Sequence, residues 1–323
     1  MVIKGIHHVS IISGSAEASD QFYSKQLGMR LVKKSVNQDD TSLYHLFYGD
    51  NDGSPGTQFT VFEIPMSEIL QKGNNSISAL SLRVSNDDAL HFWQRRFGEL
   101  GVSCEEIKER AGRKTLAFHD PEGQRLLLVS DEHNHGVPGG SPWANSPVPE
   151  ENRIIGLGPV KLTVPVAGPT VDVLTDLLGF RQIGAYPSSV SGQPEILVFE
   201  TGEGGTGAEV HVEKRDDLPP EQLGRGGVHH VAFRAGSDSE LKQWLAKIRE
   251  TRLPNSGFID RYYFHSVYFR ERNGILFELA TDGPGFTIDE TQDHLGEKLS
   301  LPPFLEPKRA ELEKRLRPLD LND

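Results

Sequence analysis

Cysteine is nearly missing from this chain of 323 residues: Cys104 stands alone, which excludes an intramolecular disulfide. Long apolar runs are missing too, since nothing approaches the roughly 18 residues of a membrane span. The N-terminus lacks the apolar core of a secretory signal, and the expectation is a cytoplasmic protein. Surplus positive charge is also absent. With 34 Lys and Arg against 46 Asp and Glu, the formal charge is −12, and nucleic acid or an anionic membrane would be repelled. A small-molecule site is favoured instead. What is present, 36% hydrophobic and 25% charged residues, is the composition of a folded chain, and its length favours two domains.

The sequence repeats itself. "GIHHVSI" (5–11) returns as "GVHHVAF" (227–233), and "FHDPEGQRLLLVSD" (118–131) returns as "FRERNGILFELATD" (269–282). Two fainter copies of the first motif, "SISALSLRV" (76–84) and "IGLGPVKLTV" (155–164), read as strands from their alternating apolar residues. Four units result, near 5–65, 76–131, 155–215 and 227–282. Helical stretches are predicted at 16–29, 87–101, 170–180 and 239–250, with Gly28, Gly101 and Gly179 as stops. Each unit therefore reads as a strand, a helix and further strands. The Gly-, Pro-, Ser- and Asn-rich stretch near 131–152 reads as a linker. The segment 307–319 predicts a short charged helix packed on the surface.

Successive side chains on a strand point to opposite faces, so one histidine of each pair can reach a shared site. His7 alternates with Val9 and Ile11, and His229 with Val231 and Phe233; these series are predicted to face the helices. His8 and His230 are left on the open face. In "ILFELA", Glu278 shares the open face with Leu276 and Ala280, where an unpartnered carboxylate would be costly and a cation would hold it ionised. Two imidazoles and one carboxylate form the facial ligand set of non-haem Fe(II) oxygenases.

With these motifs in hand, the chain resembles the vicinal oxygen chelate superfamily, which includes glyoxalases, bleomycin-resistance proteins and extradiol dioxygenases. Within it, the length and the two HH pairs are similar to two-domain hydroquinone ring-cleaving dioxygenases. The resemblance implies an α+β fold of four βαβββ modules in two vicinal-oxygen-chelate domains, at 1–131 and 154–285, with a linker at 132–153 and a C-terminal tail at 286–323. It implies Fe(II), with Mn(II) as the alternative, at His8, His230 and Glu278. His7, Ser10, His229, Arg261 and Tyr268 would surround the site, a small aromatic molecule and O2 would be the substrates, and a homo-oligomer is left open.

Metal sites in this superfamily draw on the opening and closing strands of two units. The first unit offers His8 and Thr60, the fourth His230 and Glu278, the second Ala79 and Leu127, and the third Pro159 and His211. One site built by the first and last units follows, with a second that has lost its metal. His211 holds a closing position without matching ligands. His45, His91, His119, His265, His294 and the "HNH" at 133–135 have no repeated partner and read as ordinary structural or solvated residues. The competing readings are a glyoxalase-like lyase or isomerase, for which Thr60 is a poor fourth ligand and Glu63 should face away, and a non-enzymatic binding protein.

Overall fold

Four copies of one strand-helix-strand unit account for nearly all the regular structure, described for residues 1–319 and 321 in a computed structural model. The first holds β1 (Ile6–Ser13), α1 (Ala16–Asp20), β2 (Arg30–Val36), β3 (Tyr44–Gly49) and β4 (Gln58–Glu63). The second holds β5 (Ser76–Val84), α2 (Asp87–Leu100), β6 (Lys108–Arg110), β7 (Arg113–His119) and β8 (Arg125–Ser130). The third holds β9 (Ile154–Leu157), β10 (Val160–Val164), α3 (Ala167–Asp172), β11 (Arg181–Tyr186), β12 (Ile196–Glu200) and β13 (Glu209–Lys214). The fourth holds β14 (Gly227–Ala235), α4 (Asp238–Glu250), β15 (Ile259–Asp260), β16 (Phe264–Arg270) and β17 (Leu276–Pro284), and α5 (Arg309–Arg315) follows in the tail. The fold is α+β.

Consecutive units do not share a sheet. The first and fourth form an eight-stranded sheet, ordered β15-β16-β17-β14-β1-β4-β3-β2, and the second and third form a nine-stranded one, β11-β12-β13-β10-β5-β8-β7-β6, with β9 pairing β5. At the centre of the first sheet β1 runs antiparallel to β14, which brings the two repeated openers side by side.

Local chemistry explains the elements. In α2, Asn86 accepts from the amide of Ala89, Leu90, Trp93 and Phe97 are buried at helical spacing, and Gly101 closes the helix at φ 70°. Two expectations need correction. The helices predicted at 16–29 and 170–180 are α-helical only at their starts and continue as π-helical turns at Gln21–Gln26 and Val173–Leu177. The wider turn lets adjacent residues, Phe22 with Tyr23 and Val173 with Leu174, all be buried. The single strand read over 155–164 is broken into β9 and β10, because Pro159 has no amide to donate and Gly158 donates to Ser81 instead.

Candidate metal centre

Register decides which side chains meet. Across the parallel pairs, Ser10 lies opposite Thr60 and Ala232 opposite Glu278, each two residues beyond the open-face histidine. The second sheet repeats the relation, with Ser81 opposite Leu127 and Lys161 opposite His211. The four closing positions named from sequence are therefore structurally equivalent. In the first sheet they bring His8, His230 and Glu278 together, with side-chain exposures of 3%, 3% and 0%.

Glu278 Oε2 lies 3.1 Å from His8 Nε2 and 2.9 Å from His230 Nε2, and the two imidazole nitrogens are 3.2 Å apart. Donor bonds of about 2.1 Å meeting at right angles would set neighbouring donor atoms about 3.0 Å apart. The observed triangle has that size. Glu278 Oε1 accepts from Ser266, while Oε2 is buried without a hydrogen-bond partner of acceptable geometry. Burial by itself would push this carboxyl up, but His8 and His230 hold it well below the usual carboxylate range.

The imidazole tautomers follow from their partners. Burial, and then His8, drives the pKa of His7 down to about 3, so it is neutral, and its Nε2 must donate to the Thr281 carbonyl at 3.0 Å. Its Nδ1 is then a lone pair that accepts from His8 Nδ1 at 2.9 Å. With the hydrogen on Nδ1, the lone pair of a singly protonated His8 ring lies on Nε2, the atom that faces Glu278. That tautomer would point two electron-rich atoms at one place, and a divalent metal ion fits this donor set.

The histidine pairs depart from simple alternation. Ile6 pairs with Phe233 and His8 with Ala232, leaving His7 as an extra residue; Ser10 pairs with His230 and Ile11 with Val228, leaving His229 as another. Each pair is thus a β-bulge. A bulge turns its two side chains toward one side, so His7 and His229 leave the helix-facing series predicted for them. His7 packs on His8 and Phe264, with ring centroids 5.1 and 5.4 Å away, and His229 packs on His230 and Phe62, at 5.1 and 5.4 Å. His229 Nδ1 meets His230 Nδ1 at 2.8 Å, repeating the first pair's contact. Burial, and then His230, lowers the His229 pKa to about 3.

Above the triad opens a pocket of about 470 Å³, counting space continuous with solvent, walled by Phe47, Phe62, Tyr263 and Phe264. Ser10 lies at its base, with Oγ 2.7 Å from Thr60 Oγ1 and 3.1 Å from His230 Nε2. Tyr268 and Arg261 are brought together on one wall: Arg261 Nε donates to the Tyr268 hydroxyl at 3.3 Å, and its terminal nitrogens grip Asp39 at 3.1 and 2.9 Å. Burial and Glu278 raise the phenol pKa, so Tyr268 keeps its proton. Burial opposes the Arg261 charge, yet Tyr268 and Asp39 hold its pKa above the ordinary value.

His45 was read as an ordinary structural residue, but it lines this pocket and its Nε2 lies 3.0 Å from Thr60 Oγ1. Burial, and then His8 and His230, pushes it well below its usual pKa. Its signal in the sequence was confined to a place in the alternation of "YHLFYG". Glu63 points away from the pocket, accepting from the Ala16 amide and pairing with Arg317. In the second sheet His211 contacts Tyr186 at 3.1 Å and Glu209 at 3.2 Å, and Arg113 already neutralises Glu209.

Comparison with known proteins gives the geometry a context. Residues 5–128 and 156–279 match the model of the Glyoxalase/Bleomycin resistance protein/Dioxygenase superfamily. The chain is 52% identical over 319 residues to "Putative ring-cleaving dioxygenase MhqA" of Bacillus subtilis (strain 168), covering 99% of this chain and 100% of that protein. It is 30% identical over 315 residues to a chlorohydroquinone/hydroquinone 1,2-dioxygenase of Sphingobium indicum, covering 96% and 95%. A crystal structure of a "putative dioxygenase" from Bacillus subtilis subsp. subtilis str. 168 superposes with a TM-score of 0.90 at 33% identity, covering 99% of each chain.

Proposed function

The chain belongs to the Glyoxalase/Bleomycin resistance protein/Dioxygenase superfamily, and from that membership we propose that it is a ring-cleaving dioxygenase for hydroquinone-type aromatics, using Fe(II) held by His8, His230 and Glu278. Mn(II) is the alternative ion. One observation carries the reading: three buried donors have the spacing of a facial ligand set, and two of them, His8 and His230, line a pocket walled by aromatic rings. Ring-cleaving activity is also in the names of the relatives, including one that acts on hydroquinone.

A ferrous ion bound there supplies an electron path between an aromatic ring and O2. The protein's own groups do the rest. Phe47, Phe62 and Phe264 would stack the ring and exclude water. Tyr268, kept protonated, donates toward oxygen where negative charge develops, and Arg261 stabilises that charge. Ser10 and Thr60 carry hydroxyls beside His230, in contact with the neutral His45, and this chain can orient a substrate hydroxyl and pass its proton away from the donors.

The donor count supports oxygen chemistry over glyoxalase-like proton transfer. Thr60 occupies the first unit's equivalent of Glu278 and gives a hydroxyl, so the site has three strong protein donors and positions left for two reactants. The test is oxygen uptake by the Fe(II)-loaded protein with hydroquinones and catechols. One O2 should disappear per ring, together with the aromatic ultraviolet band. Inertness in air toward every ring, combined with isomerisation of a hemithioacetal under nitrogen, would replace this reading with the lyase.

A further inference from the structure

One wall of the pocket is held from behind by the segment that follows the fourth unit. Lys33 on β2 has a fully buried side chain, and its ammonium meets Asp289 Oδ1 at 2.6 Å, the Glu290 carboxylate and the Phe286 carbonyl at 3.2 Å. A charge with no solvent must be paired to persist, and here both partners come from the tail. Asp289 has a second task. Its other oxygen, Oδ2, accepts from the Tyr263 hydroxyl at 2.9 Å. The Lys33 ammonium also lies 4.9 Å from the centre of the Tyr263 ring, and Phe286 packs against the same ring at 5.3 Å.

Tyr263 is the hinge between this clamp and the substrate space. It sits in a tight turn: its amide donates to the Arg261 carbonyl at 2.9 Å, its carbonyl accepts from Gly285 at 2.8 Å, and Tyr262 adopts a left-handed φ of 71°. The turn presents Arg261, Tyr263 and Phe264 to the pocket together. Fixing the Tyr263 hydroxyl therefore fixes how far Tyr263 and Phe264 project toward a bound ring. The tail is itself anchored to the same edge of the sheet, since Ser300 donates its amide to the Lys34 carbonyl and its carbonyl accepts from Ser35 Oγ, both at 2.8 Å.

We infer that the Lys33–Asp289–Tyr263 clamp sets the width of the aromatic pocket and so selects which ring substituents are accepted, with Lys33 and Asp289 as positioning residues. The inference rests on the aromatic-substrate reading of the site. It makes the tail a specificity element that touches no reacting atom.

Two substitutions separate this role from simple bracing. Lys33 and Tyr263 use different oxygens of Asp289, and Asp289→Asn puts an NH2 group at one of those two places, so one of the two donors loses its acceptor. Glu290→Gln also removes a carboxylate from Lys33, but it leaves the Tyr263 bond intact. Binding is measured under nitrogen, without turnover, by calorimetry of the Fe(II)-loaded proteins with hydroquinone and with 2-tert-butylhydroquinone. In Asp289→Asn the ratio of the Kd for the bulky ring to that for the plain ring should fall by about tenfold, the scale on which hydrophobic pockets discriminate size. In Glu290→Gln it should stay at the parent value, with both variants retaining the parent's metal content. Equal ratios in the parent and Asp289→Asn, or the same change in both variants, overturn the clamp. Failure of the parent to bind either ring rejects the aromatic-site reading, and the clamp with it.

Discussion

Replacing Glu278 with Gln should uncouple the fold from divalent metal, and the size of the effect can be worked out. Glu278 is the one anionic donor of the triad and is fully buried. Metal that binds only the folded chain stabilises it by about 2.7 kcal/mol at one hundred times its Kd. For a chain of this size, with an unfolding entropy of about 2.1 cal/mol/K per residue, each kcal/mol moves the melting point by about 1.5 °C, so saturating Fe(II) should raise it by about 4 °C. Taking the charge out of a buried pair typically costs at least about 3 kcal/mol, which weakens metal binding by roughly 150-fold. At the same Fe(II) concentration the variant is then less than half occupied and gains only about 0.3 kcal/mol, or roughly 0.5 °C. Ser266 still finds an acceptor on the amide, so the metal-free variant should fold. Anaerobic calorimetry with and without Fe(II), alongside elemental analysis, reads both shifts. An equal shift in parent and variant would refute the role of Glu278, and a parent indifferent to Fe(II) and Mn(II) alike would refute the triad.

Bound metal should amount to one ion per chain, and His211→Ala should leave that number unchanged in elemental analysis, because the second sheet lacks the other donors. His7→Leu removes the acceptor that orients His8; metal affinity should fall about 10–100-fold in a competition titration with a chromophoric chelator. A fall of that size should be absent in His91→Leu, on the exposed side of α2. Tyr268→Phe and Arg261→Ala should each keep the metal while slowing oxygen consumption about 100-fold or more; loss of metal in either would move that residue from the reaction to the binding of the ion.

The repeat was visible in the sequence because the chemistry that fixes it is local: an apolar strand, a capped amphipathic helix, a glycine stop. Asn86 and Gly101 bracket α2 within a residue of the predicted ends. The π-helical turns were not visible, since they answer to burial of neighbours such as Phe22 and Tyr23 against the sheet, a tertiary demand that periodicity does not encode. The break between β9 and β10 could have been read from Gly158 and Pro159, whose dipeptide interrupts any ladder.

The site divides along the same line. His8, His230 and Glu278 were legible because each occupies a repeated register position, and register survives as long as the parallel pairing of opener and closer is kept. His7 and His229 were assigned to the wrong face because alternation assumes a regular strand, and an inserted bulge residue breaks that assumption. The repetition of HH is itself the trace of those bulges. In an antiparallel pair with one bulge on each strand, both openers can place a ligand and its orienting neighbour on one side of the sheet, which a regular strand cannot do with adjacent residues. His45 and the tail left no such trace. His45 is brought to the pocket by the β3–β4 pairing, which sets it beside Phe62, and the tail reaches Lys33 from more than two hundred and fifty residues away. What the first and fourth units share is the register that brings three donor side chains together; what walls the pocket beside them lies in residues that only one unit, or no unit, possesses.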